Sequence, residues 1–182
     1  MFSPTPEFSL KAITSGRTIN RATCAGRPLL LLFHNQHGIE TVRALQNAVR
    51  TRWPLAQTLL VGSVVSLQGV PRLVHGVAEA MLGAAYRDAA RELPVELDPA
   101  DYILILLDGA GKVSASLGIH DGGKQPTALV IDGAWQCYGP FTGADLVAQS
   151  VACLGTLLTG APADAHRDSL PSTPSGTIGP AA

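Results

Sequence analysis

The sequence predicts one α/β domain built on a mixed, largely parallel sheet that is flanked by helices and preceded by an N-terminal β-hairpin. Three observations carry that prediction. The segments Leu29–Phe33, Thr58–Leu67 and Tyr102–Leu107 are apolar without alternating, the pattern of strands buried on both faces. Segments of helical period separate them, so strand and helix alternate as a parallel sheet requires. Finally, two strands joined at Asp132-Gly133, a strong turn signal, lead into a last amphipathic helix and make the sheet mixed.

Taken in order, a short extended segment at Phe8–Leu10, a Ser15-Gly16 turn and a second segment at Thr18-Ile19 form the expected hairpin. Pro28 opens the first central strand, Leu29–Phe33. From Gly38 to Trp53, Ile39, Val42, Leu45 and Val49 recur every three or four residues, with Glu40, Arg43 and Arg50 between them. A strand follows over Thr58–Leu67. Pro71 suits the first turn of a long helix ending by Pro94, whose expected inward stripe is Leu73, Val74, Val77, Met81, Leu82 and Ala85. After the strand at Tyr102–Leu107 and a short element come strands at Ala128–Ile131 and Trp135–Tyr138. Asp145 then introduces a helix with the stripe Leu146, Val147, Val151, Leu154 and Leu158. From residue 160 the chain is dominated by Pro, Gly, Ser, Thr and Ala. Such a segment cannot bury enough apolar surface to offset its ordering entropy, so the domain is expected over residues 1–159 and a disordered tail over 160–182.

Composition narrows the function classes. Thirteen basic and 14 acidic side chains nearly cancel, and no basic stripe appears, which argues against a nucleic-acid partner. Charged residues are only 15% of the chain, against about 25% in typical domains, so a face covered by a partner or by a second copy is expected. The N-terminal residues lack a basic segment followed by a long apolar run, and Leu29–Phe33 is far short of the roughly 20 residues that span a bilayer. A cytoplasmic protein with no membrane partner is the resulting expectation. Cys24, Cys137 and Cys153 are odd in number and widely separated, unlike a disulfide framework or a metal-binding motif.

Four fragments in order carry a family resemblance. They are Phe8-Ser-Leu, Gly16-Arg-Thr, Gly26-Arg-Pro-Leu-Leu-Leu-Leu-Phe33, and the stretch from Leu107-Asp-Gly-Ala-Gly-Lys-Val to Gln125-Pro-Thr-Ala-Leu-Val-Ile-Asp-Gly133. Over about residues 5–158 the chain resembles the thioredoxin-like superfamily, in its redoxin and peroxiredoxin-like branch. The resemblance implies a thioredoxin-like fold, a cis proline at Pro126 and an active site at the start of the helix after Leu29–Phe33. In the family a cysteine there is activated by the helix N-terminus, which favours the thiolate. The two positions of the family's CxxC pair fall on Gly38 and Thr41. No cysteine occurs anywhere from Ala25 to Gln136, so neither the pair nor a peroxidatic cysteine is present. Leu32 also stands where thioredoxins carry a buried carboxylate.

Gly38, Thr41 and Pro126 therefore mark a degenerate active-site region with no catalytic residue assigned. The topology implied by the resemblance gathers His34, His37 and His120 around it, a candidate ligand or metal cluster, since imidazoles are ordinary zinc and copper ligands. A competing role for these polar residues is satisfying helix N-terminal amides. Cys24 and Cys137 are the candidate thiols for relocated redox chemistry. The principal expectation is a non-catalytic binding module without a cofactor. It would take another protein or an extended peptide in the groove beside Pro126 by backbone pairing, with a homodimer as a further arrangement. The alternative is a redox protein acting through relocated cysteines or a histidine-bound metal.

Overall fold

A computed structural model describes residues 2–24, 26–35, 38–67, 71–120 and 125–159. The strands are β1 (Phe2–Pro4), β2 (Leu10–Ala12), β3 (Thr18–Ile19), β4 (Leu29–His34), β5 (Leu60–Ser66), β6 (Leu104–Asp108), β7 (Thr127–Ile131) and β8 (Gln136–Thr142). The helices are α1 (Arg21–Cys24), α2 (Ile39–Arg52), α3 (His75–Glu92), α4 (Pro99–Tyr102), α5 (Lys112–Ser116) and α6 (Leu146–Thr159). All eight strands form one sheet in the order β1-β8-β7-β4-β5-β6-β2-β3. The pairs β4–β5 and β5–β6 are parallel, and β4–β7, β7–β8 and β2–β6 are antiparallel. The fold is α/β with a mixed sheet, as the sequence predicts, and β2–β3 is the expected N-terminal hairpin.

Strand β4 lies at the centre, and each of its residues is buried. Because successive side chains point to opposite faces, Leu29, Leu31 and Phe33 enter one core with Phe8, Leu106 and Trp135, while Leu30 and Leu32 enter the other with Val42, Leu45 and Leu154. Helices α2 and α6 cover the second face. Each fully buried leucine contributes roughly 1.5–3 kcal/mol, so this strand anchors the domain. Gly62 on β5 lets the neighbouring strand close in, since a Cβ there would come within 2.7 Å of Leu106 Cδ1.

Two motifs behind the family resemblance have local physical causes. The buried carboxylate of Asp108 accepts from the backbone N–H groups of Val113 and Ser114 and from the Ser114 hydroxyl, tying the start of α5 to the end of β6. Asp132 accepts from the N–H groups of Ala134 and Gln136 and from the Tyr138 hydroxyl, fixing the β7–β8 turn. Trp135 in that turn stacks on Phe8 with ring centroids 5.3 Å apart.

Other expectations needed correction. Strand β1 and helices α1 and α4 are short elements without a periodic signal. The hairpin strand runs Leu10–Ala12 rather than Phe8–Leu10, and β8 extends to Thr142. The largest difference is α3. Its expected apolar stripe is mostly exposed, with Leu73 in the preceding 3-10 turn at 97%, Met81 at 69% and Val77 at 60%, while the buried residues are Gly83 and Tyr86. Coverage of the sheet thins in the same direction: β4 is buried throughout, whereas Ile105 and Leu107 on β6 are only half-buried on their outer face. The segment 160–182 lies outside the described residues.

Candidate functional site

The parallel strand β4 ends at His34, and α2 starts at Ile39, so the β4–α2 connection sits at the end of the sheet where α/β folds commonly bind ligands. Gly38 is the N-cap of α2, with φ −91° and ψ 4°, an ordinary backbone conformation for any residue. Space, not backbone strain, demands glycine here. A Cβ at residue 38 would lie 2.6 Å from Cγ of Pro126 and 3.3 Å from Cβ of His34. The Pro126 ring thus fills the place into which a side chain at 38 would project. The structure brings Gly38, His34 and Pro126 together as the topology implied. Thr41 lies half-buried on the first turn of α2.

The cis proline is a correction. The cis X–Pro bond among the described residues is Gly139–Pro140 on β8, and no cis bond is found at Gln125–Pro126. The two isomers of an X–Pro bond differ by only about 0.5–1 kcal/mol, so packing decides between them, and here the Pro126 ring packs onto Gly38.

His34 is buried, and both ring nitrogens are engaged. Nδ1 lies 3.0 Å from the Asn35 carbonyl oxygen, which can only accept, so Nδ1 carries the proton. Nε2 lies 2.5 Å from Ser63 Oγ and accepts its hydroxyl hydrogen. Burial pushes the imidazole pKa below the usual histidine value, with the Asn35 hydrogen bond opposing that shift. This histidine is neutral at pH 7 and holds Ser63, on the neighbouring strand β5, in place. His120 is exposed and His37 lies outside the described residues. Among the described residues no group of three His, Cys, Asp or Glu side chains is set to hold a metal. His34–Ser63 is the polar pair that sequence reasoning missed. The signal was there in the register: residues 34 and 63 face the same side of adjacent strands, one step beyond Leu32.

The thiols are unlike activated ones. Cys24 is buried in the first core, and burial raises its pKa against the opposing pull of Arg27 and Arg17. Cys137 is raised by burial too, and Cys153 is pushed up to about 11 by burial and then by Asp132. All three are unpaired.

No protein-family model and no curated protein sequence matches the chain. Solved structures do. The exposed lipoprotein thioredoxin of Streptococcus pneumoniae strain TIGR4 is similar at 20% identity and a TM-score of 0.56, over 84% of this chain and 100% of that one. A thiol-disulfide oxidoreductase from Bacteroides fragilis NCTC 9343 is similar at 14% identity and a TM-score of 0.57, over 84% and 99%. A thiol:disulfide interchange protein of the thioredoxin family from Chlorobium tepidum TLS gives 14% and 0.56, over 87% and 97%. At these identities the likeness establishes the thioredoxin-like fold. Among the described residues no helix is long and apolar enough to cross a membrane.

Proposed function

We propose that this chain is a thioredoxin-fold binding module that does not perform thiol-disulfide exchange. One observation carries the reading: the Pro126 ring occupies the space of a side chain at residue 38, where the family resemblance puts the first active-site cysteine. The raised pKa values of Cys24, Cys137 and Cys153 support it, because the thiolate is the reactive form. The ligand in this reading is another protein or an extended peptide, paired by backbone hydrogen bonds near Gln125 and Pro126. The reading keeps the chain in the redoxin and peroxiredoxin-like branch and places it in the cytoplasm, where unpaired thiols persist.

The test has two arms on the full chain. Insulin reduction and peroxide consumption should stay at background in the wild type and in a Cys24→Ser, Cys137→Ser, Cys153→Ser variant alike. A photo-crosslinker at Gln125 should capture an extended peptide selected by display, and Pro126→Ala should weaken that capture. Turnover that the triple substitution abolishes would replace this reading with the similar structures' own chemistry, thiol-disulfide exchange, run here through relocated cysteines.

A further inference from the structure

On the α2 side of the sheet, where coverage thins beyond β4, a cavity of about 280 Å³ lies between α2 and the C-terminal end of α3, over β5 and β6. That is close to the lower end of the roughly 300–1,000 Å³ found for small-ligand clefts. Its wall combines an apolar part, including Val61 and Leu93, with Asn47, Arg50, Ser63 and Tyr102.

Arg50 is the unusual member. It is half-buried, and none of the ion pairs among the described residues includes it. Its Nη1 donates to the Leu59 carbonyl at 3.2 Å, and its guanidinium carbon sits 4.2 Å from the centre of the Tyr102 ring. Its Nη2 is enclosed and has no hydrogen-bond partner. A guanidinium stays charged at any physiological pH. Among the described residues this half-buried cation has a ring face and one carbonyl against it and no carboxylate, which leaves it available to an anion.

We propose that this cavity binds a small organic carboxylate, with the Arg50 guanidinium swinging from its enclosed position to meet the carboxylate and Val61 and Leu93 packing the hydrocarbon body. The polar groups set the orientation. The Ser63 hydroxyl hydrogen is committed to His34, so Ser63 presents only lone pairs to the cavity and repels an anion. The amide of Asn47, one helical turn from Arg50's end of α2, can donate to the second carboxylate oxygen. The anionic end therefore belongs at Arg50 and the apolar end over the sheet. The cavity meets the Gly38–Pro126 region through the Ser63–His34 hydrogen bond, and the proposal stands whether or not a peptide binds beside Pro126.

Benzoate is the probe, titrated into the full-length protein and followed by amide chemical shifts. Saturable shifts are expected at residues 46–50, 61–63 and 102–105, with a dissociation constant at or below about 1 mM. Benzyl alcohol, of similar shape without the charge, should bind at least about tenfold more weakly, as should benzoate to Arg50→Gln, for loss of charge-assisted hydrogen bonds. Ala89→Phe fills the cavity from α3 while retaining Arg50, and should abolish binding in a folded protein. The proposal is overturned if about 20 mM benzoate, well above any useful affinity, causes no saturable shift in the wild type. It is equally overturned if benzyl alcohol binds as well as benzoate, or if either substitution leaves benzoate binding undiminished.

Discussion

Two places on the α2 side of the sheet differ in the way that matters for function. At the start of α2, the Pro126 ring lies where a residue-38 side chain would project, and His34 beneath it has both nitrogens satisfied. Toward the other end of the same helix, Arg50 lines a cavity and has no carboxylate against it among the described residues. The first place has the family's topology without room for the family's nucleophile; the second has room and charge without a family precedent in the sequence. The sequence alone says that no cysteine stands at residues 38 and 41. The packing says more, because the space has been closed as well.

The largest expected effect breaks that comparison directly. Restoring the missing pair with Gly38→Cys and Thr41→Cys should destabilise the domain by about 1–3 kcal/mol, as overpacking does. At roughly 2–4 °C per kcal/mol for a domain of this size, thermal unfolding would detect it easily. Insulin reduction should remain at background. A double variant of unchanged stability that reduces insulin would mean the Pro126 ring yields without cost, and the site would count as open.

Next in size, Ser63→Ala separates the satisfied polar group from the unsatisfied one. It removes the donor to His34 Nε2 and leaves a buried acceptor unpaired, which should cost about 1–2 kcal/mol by denaturant unfolding. Arg50→Met should change stability by no more than about 1 kcal/mol in either direction, because the lost hydrogen bond to Leu59 and ring contact with Tyr102 are offset by relief of the guanidinium's desolvation. A cost of about 3–5 kcal/mol, the signature of a broken buried ion pair, would reveal a carboxylate partner for Arg50 and remove the contrast between the two places.

The sequence displayed these regions unequally. The apolar run at Leu29–Phe33 and the stripe Val42, Leu45 and Val49 put β4 and α2 where they are, because full burial writes itself as an uninterrupted or periodic apolar pattern. The nearness of Gly38 and Pro126 was legible too, through topology. What stayed hidden depends on how densely elements pack. The apolar residues of α3 predicted an inward stripe, yet Leu73, Val77 and Met81 face outward and Gly83 and Tyr86 face in. Periodicity fixes that a helix has an apolar side; it does not fix which side the sheet receives when the strand below, β6, is itself only half covered. The cavity at Arg50 follows from that loose fit, so no pattern in the residues could announce it. The cis bond at Pro140 instead of Pro126 was likewise a matter of packing.

The smallest effect is a pH dependence confined to the closed place. Burial lowers the folded-state pKa of His34 below the unfolded histidine value of about 6.5. Between those two values the unfolded chain binds more protons than the folded one, so stability rises with pH there. The contribution is fully present above about pH 6.5 and is lost as pH falls through the folded-state pKa, when the ring must take a proton on the nitrogen that now accepts from Ser63. Thermal unfolding between pH 5 and 7.5 should therefore show the wild type losing stability toward acid more steeply than His34→Gln, which keeps a polar group but does not titrate. Arg50→Met should leave that slope unchanged, since its charge is constant over the range. Equal slopes in wild type and His34→Gln would place the proton-linked group elsewhere and undo the assignment of a neutral, satisfied histidine under Gly38.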